Sequence, residues 1–316
     1  MSDPIWYGIV QIPTQGGVIF TAMPSSPASS AASTGGSAPI VWLNGALLDA
    51  SEAGISPFDH GLLTGDGVFE TLAGLGGEPF AASRHHQRLV RSAAALGLIP
   101  PPAEELLTAM REVMHANGCL DARIRVTVTG GISPLGSDRG QARHTALVAV
   151  SAMPTFKPLA NVVTVPFTRN EKGALVGLKT ISYAENVLAL NHAKQQGGDE
   201  PIFGNTQGIL CEGASTNVFL VRDGTVLTPP LSTGCLAGVT RGLAIELCAE
   251  LGIPCEEVLL PLDALDQEEE IFLSSTLRCL QAVGRVNAID LSKAPGETTR
   301  RLVEAFAALQ QRNLDP

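Results

Sequence analysis

The chain has 316 residues, with 21 Lys and Arg against 31 Asp and Glu, for a net charge of −10. That length suggests two domains of ordinary size, each able to bury a core. The acidic balance argues against a nucleic-acid binder, because phosphate contacts need clustered cations, and it requires any anionic ligand to be met by a local arginine.

The chain opens on "MSDPIWYGIVQIPTQGGVIF", which lacks the basic start of a signal peptide. No run of 18 apolar residues suggests a membrane span, and six scattered cysteines without C-x-x-C spacing fit a reducing, cytoplasmic setting. "PSSPASSAASTGGSA", residues 24–38, reads as a flexible linker, so residues 1–38 are expected to be an extension and linker, in which residues 1–23 fit an appended strand as well.

From residue 39 the pattern becomes that of a folded domain. "PIVWLNGALLDA" predicts a strand turning at Asn-Gly into a hairpin, and "GVFETLAGLGGEPF" repeats the device with Gly-Gly. Helices are predicted from about Ser83 to Leu96 and from about Ala103 to Asn117, each ended by glycine. "RIRVTVTGG" and "HTALVAVSAM" read as strands, completing an α+β unit over residues 39–157.

A second unit is expected over residues 158–316. "NVVTVPF" is a strand, "EPIFGNTQGILCEG" and "TNVFLVRDGTVLTPP" are hairpins, "EIFLSS" is a buried strand, and "TTRRLVEAFAALQQR" is a closing amphipathic helix. Within this unit, "GLKTISYAENVLAL" sets Lys179 at the entry to an almost uncharged run. Ser182 and Glu185 have capping-box spacing, which predicts a helix from Ser182 with Val187, Leu188 and Leu190 toward a core. A lysine buried before a helix N-terminus has its ammonium form disfavoured and becomes a nucleophile able to form a Schiff base. An ordinary lysine whose ammonium reaches solvent fits the same stretch.

Three other features suit a cofactor attached there. "LAGVTRG" places Val239 and Thr240 at a helix start, with Thr240 as the expected N-cap and free N–H groups for an anion. "SST" at 274–276 ends a strand in three hydroxyls, Ser275 and Thr276 among them, suited to phosphate or to simple turn capping. In "CEGASTNVF" the acid Glu212 can face a pyridinium nitrogen, although a solvated hairpin carboxylate fits equally.

The order of Lys179, E-G-x-x-x-N-V-F, G-V-T-R and S-S-T resembles the class-IV aminotransferase superfamily, the fold-type IV pyridoxal-phosphate enzymes. The upstream "FDHGLLTGDGVFETL" and "HHQRL" resemble the same family's N-terminal signature, so the likeness runs from about residue 41 to 290. It implies two α/β-type domains with the cofactor in the cleft between them, in a homodimer. Lys179 matches the Schiff-base lysine, Glu212 the partner of the pyridine nitrogen, and Arg88 the arginine that grips the cofactor phosphate, helped by Val239, Thr240 and Thr276. By position alone Arg88 serves equally as an exposed helix arginine beside Arg84 and Arg91.

Within that superfamily the stretch "TGGISPLGSDRG" carries Leu135 and Ser137 where the D-amino-acid transaminases have a carboxylate-trapping Arg and His. "GDGVFETL" looks more like the lyase and D-amino-acid groups than the branched-chain group, and "KTISYAENVLAL" looks like the 4-amino-4-deoxychorismate lyases, which release pyruvate to give 4-aminobenzoate. The resemblance thus points first to that lyase, then to a class-IV transaminase of D- or branched-chain amino acids, and remotely to an inactive binding protein. Arg125 in "RIRVTV" and Arg278 after "SST" are the candidate ligands for substrate carboxylates, each open to a structural salt bridge instead. No metal is expected.

Overall fold

Two sheets organise residues 38–316, the part of the chain that the computed structural model describes. The expected extension and linker, Ala38 apart, lie outside the described residues. The first sheet uses β1 (Ile40–Leu43), β2 (Ala46–Asp49), β3 (Gly67–Leu75), β4 (Glu78–Pro79), β5 (Ala122–Thr129) and β6 (Thr145–Ser151) in the order β2-β1-β6-β5-β3-β4. Every pairing in it is antiparallel. The hairpin β1–β2 turns at Asn44 and Gly45, both with positive φ, as the Asn-Gly signal requires.

A short helix, α1 (His60–Thr64), precedes β3, and α2 (Ala82–Ala95) and α3 (Ala103–Ala116) pack on one face of this sheet. Alternation along β5 explains the arrangement. Ile124, Val126 and Val128 point into a core with Leu89, Val113 and Met114 from the helices, while Arg123 and Arg125 point to the other face.

The second sheet is drawn from β7 (Ala160–Arg169), β8 (Glu200–Asn205), β9 (Leu210–Gly213), β10 (Asn217–Arg222), β11 (Thr225–Thr228), β12 (Cys255–Glu257), β13 (Glu270–Ser275), β14 (Cys279–Val286) and β15 (Ile289–Asp290). Its order is β12-β11-β10-β13-β14-β7-β8-β9, with β15 beside β14. The pairs β14/β7, β7/β8 and β11/β12 are parallel. The helix α4 (Ala184–Gln195) makes the crossover from β7 to β8, and α5 (Val239–Glu250) and α6 (Glu297–Arg312) cover one face over a core that includes stacked Phe219 and Phe272. Among the described residues no helix is long and apolar enough to cross a membrane.

Two local expectations give way. Helix α4 starts at Ala184, not Ser182, because the Ser182 hydroxyl donates to the Gly65 carbonyl at 3.0 Å and the Glu185 carboxylate accepts from Arg169 at 2.6 Å. Val187 and Leu188 accordingly stand exposed at 54% and 62%, and Asn186, Ala189 and Ala193 take the inner face. At α5 the N-cap is Gly238, and Thr240 is buried within the first turn.

Candidate active site

The loop that carries Lys179 leaves the C-terminal end of β7 and is captured by the first sheet. The Lys179 carbonyl accepts from Phe69 N–H at 3.0 Å, Ile181 N–H donates to the Gly67 carbonyl at 2.9 Å, and Lys179 N–H donates to Ser92 Oγ of α2 at 3.1 Å. Residues 179–181 thereby border β3 on the edge opposite β5. Gly67 permits this approach: a Cβ there would lie 2.7 Å from the Val128 carbonyl and 2.8 Å from Ile181 Cδ1. One lysine is thus fixed to both sheets at once.

Around it lies a cavity of about 270 Å³, lined by Arg88, Lys179, Glu212, Val239, Thr240, Ser275 and Thr276. Seven of the nine residues that the sequence suggested are therefore gathered in one place, from α2, the Lys179 loop, β9, α5 and the end of β13. Burial, then repulsion by the Arg88 guanidinium, lowers the Lys179 pKa to about 8, with Glu70 and Glu212 opposing the shift. Its Nζ lies 4.2 Å from the centre of the Phe69 ring.

Glu212 is anchored on two sides. Its Oε2 accepts from Leu236 N–H at 2.8 Å, and its Oε1 lies 3.3 Å from Arg169 Nε. Burial raises its pKa against the pull of Arg169. The Arg169 guanidinium lies over the Phe203 ring and also holds Glu185 and Asn186. Arg88 is gripped by Glu70 through two 2.7 Å hydrogen bonds, and His85 Nδ1 lies 2.7 Å from the same carboxylate. All three side chains are buried, and the paired cation holds the Glu70 pKa at about 2 despite the opposing cost of burial.

The remaining two residues part company. Neither lines the cavity. The Arg278 guanidinium is buried, 3.1 Å from Glu200, hydrogen-bonded to Gln281, and laid over the Phe156 ring. Glu200 is 1% exposed, and Arg278 is the cation that compensates its charge. Arg125 lies on the exposed face of β5, 3.9 Å from the centre of the Phe69 ring, with Thr127 Oγ1 at 3.2 Å. No acid pairs with it among the described residues. Arg169 and Tyr183 also line the cavity although the sequence did not single them out. Tyr183 packs edge-on against Phe69 and donates to the Ala214 carbonyl at 2.8 Å. The aromatic four residues after the lysine was the available signal.

The donor set fits pyridoxal phosphate. A nucleophilic amine and a buried carboxylate line one cavity. The α5 N-terminus has no side-chain cap, so the Val239 and Thr240 N–H groups are open to an anion, and the buried Ser274 Oγ beside them has no hydrogen-bond partner.

Comparison with known proteins agrees. Residues 67–286 match the family model described as amino-transferase class IV. A putative branched-chain-amino-acid aminotransferase of Methanocaldococcus jannaschii is 34% identical over 272 residues, covering 84% of this chain and 94% of that protein. An aminodeoxychorismate lyase of Bacillus subtilis is 30% identical, with 83% and 92% covered, and a D-alanine aminotransferase of Staphylococcus haemolyticus 27% identical, with 84% and 96% covered. The solved branched-chain aminotransferase of the thermophilic archaeon Thermoproteus uzoniensis, with norvaline, superposes with a TM-score of 0.81 at 30% identity, covering 87% of this chain and 95% of that one. The chain belongs to the class IV aminotransferase family of pyridoxal-phosphate enzymes.

Proposed function

We propose that the protein is an aminotransferase that moves the amine of a monocarboxylic α-amino acid to a 2-oxo acid. One observation carries the choice. Of the two arginines suited to substrate carboxylates, Arg278 is consumed by Glu200, whereas Arg125 is exposed, unpaired among the described residues, and seated on the ring that also supports Lys179. One free guanidinium suits a substrate with one carboxylate close to its amine better than a ring substrate with two.

When bound, the cofactor supplies an electron sink that lets the hydrogen on the amine-bearing carbon leave as a proton. Glu212 would hold the pyridine nitrogen, and its raised pKa favours a shared proton there. Arg88, the α5 N–H groups and the hydroxyls of Ser275 and Thr276 would hold the phosphate. Lys179, mostly protonated below pH 8 and neutral above it, takes and returns the proton at Nζ. Phe69 and Tyr183 wall Nζ with aromatic surface and limit its hydration. Glu70 fixes the Arg88 guanidinium in one orientation.

The protein is further proposed to act as a cytoplasmic homodimer. Exposed Phe58, Leu62, Ile132 and Leu135 cluster beside α1 and offer a second copy an apolar surface. A second reading, 4-amino-4-deoxychorismate lyase, is favoured by the Bacillus subtilis relative and by Leu135 and Ser137 at the positions of the D-amino-acid carboxylate trap. Product analysis separates the two. The purified enzyme is incubated with pyridoxal phosphate, 2-oxoglutarate and D- and L-isomers of alanine, valine and leucine, and separately with aminodeoxychorismate. Glutamate formation supports amino transfer; 4-aminobenzoate without glutamate replaces it by the lyase.

A further inference from the structure

A second cavity, of about 240 Å³, lies between α2, α3 and β3 and is lined by Glu70 but not by Arg88. The apolar part of its lining includes Leu72, Leu89, Leu106 and Met110, all buried. Among the polar side chains of the lining, Glu70 and His85 are the buried ones, each 1% exposed, while Ser83, His86, Glu104 and Asp315 stand nearer the surface. His85 Nδ1 is engaged by Glu70 at 2.7 Å, and its Nε2 has no hydrogen-bond partner among the described residues. Burial lowers the His85 pKa, so the ring is neutral. With Nδ1–H donated to a carboxylate, the tautomer is set and Nε2 is a bare acceptor. An unmet acceptor among these apolar side chains favours a ligand that brings a donor. At the exposed edge of the cavity stand Glu104 and Asp315, whose charges disfavour an anion.

We propose that this cavity is a binding site for a compact apolar molecule that carries one N–H or O–H donor and no negative charge, with His85 Nε2 as the acceptor. The chamber exceeds the roughly 150 Å³ of an engineered apolar cavity that takes up benzene, so a bicyclic aromatic has room. The site is separate from the Lys179 cavity, and its existence does not depend on which amino compound the enzyme processes.

The test uses the full-length holoenzyme and two probes of nearly equal shape, indole and benzothiophene, of which only indole carries an N–H. Saturable indole binding by calorimetry is expected, with benzothiophene about two- to tenfold weaker, the span of one neutral hydrogen bond. Indole, and not benzothiophene, is expected to move the His85 Nε2 signal in nitrogen-15 spectra. Ala103→Trp, at the exposed start of α3, and Leu107→Phe, on the cavity wall, should each weaken indole at least tenfold while the melting temperature is kept. If one variant fails to fold, the other still decides. The proposal is overturned by no saturable indole binding, by equal affinity for the two probes, or by indole binding that survives both substitutions.

Discussion

Replacing Glu70 by Gln tests the framework of the site most directly. The carboxylate is 1% exposed and takes two hydrogen bonds from Arg88 and one from His85, all at 2.7 Å. A carboxyl held near 2 when folded and near 4.5 when unfolded stabilises the fold by roughly 3 kcal/mol at neutral pH. Breaking a buried pair from one side costs about 3–5 kcal/mol, because Arg88 is left without its counter-ion. The two figures meet at about 3 kcal/mol, which predicts a fall of about 1 M in the urea midpoint for a slope near 3 kcal/mol/M. The sign of the pH dependence follows from the lowered pKa. The wild-type advantage is fully present above about pH 4.5 and is lost as pH falls toward 2, so the deficit of the variant should stay constant from pH 7 to about pH 5 and shrink by pH 3. Urea titrations of both proteins at pH 7, 5 and 3 measure this. An unchanged midpoint at pH 7, or a deficit of constant size down to pH 3, would refute the assignment of Glu70 as the ionised clamp of Arg88.

Four other outcomes are expected. Lys179→Ala should lose both the near-visible absorbance of bound pyridoxal phosphate and the borohydride-fixed label seen by peptide mapping; a label on Lys172 in the wild type would move the site. Because the Lys179 pKa lies at about 8, the rate at which apoenzyme takes up the cofactor should climb from pH 6 and level off above pH 8, whereas a climb continuing to pH 10 would mean an unperturbed amine. Arg125→Met should raise KM for the amino donor roughly ten- to hundredfold, the worth of a charge-assisted contact of about 1.5–3 kcal/mol, with absorbance unchanged. Arg278→Met should instead strand the Glu200 carboxylate and destabilise the fold by about 3–5 kcal/mol, leaving KM near wild type in whatever folds; a large KM rise would return Arg278 to the substrate site.

The elements most legible in the sequence are those whose signal is short-range. Asn44-Gly45, Gly76-Gly77 and Asp223-Gly224 each mark a hairpin, and each pair has positive φ at both residues. The helices α2 and α3 begin and end within a residue or two of their apolar stripes and terminal glycines. The start of α4 departs from its local signal for a long-range reason. The capping box at Ser182 and Glu185 is a local preference worth about 1 kcal/mol, and both side chains have other partners 16 or more residues away, Gly65 and Arg169. The strand β14 is hidden in the sequence because "CLQAVGRV" mixes Gln, Gly and Arg into the run, and its place in the sheet rests on pairing with β13 and β7.

The same distinction governs the site. Lys179, Glu212 and the α5 N-terminus are readable because each carries its chemistry in a short motif, and the fold only has to bring the motifs together. Arg125 and Arg278 look alike in sequence, each an arginine among apolar neighbours at a strand or strand end. What separates them is Glu200, 78 residues before Arg278, whose buried charge claims one guanidinium and has no access to the other. Arg125 stays free because its strand alternates and its odd-numbered face holds Phe69 and Thr127 rather than an acid. In an acidic chain a cation is free to bind substrate only where the fold has kept carboxylates away from it, and neither composition nor spacing records that separation.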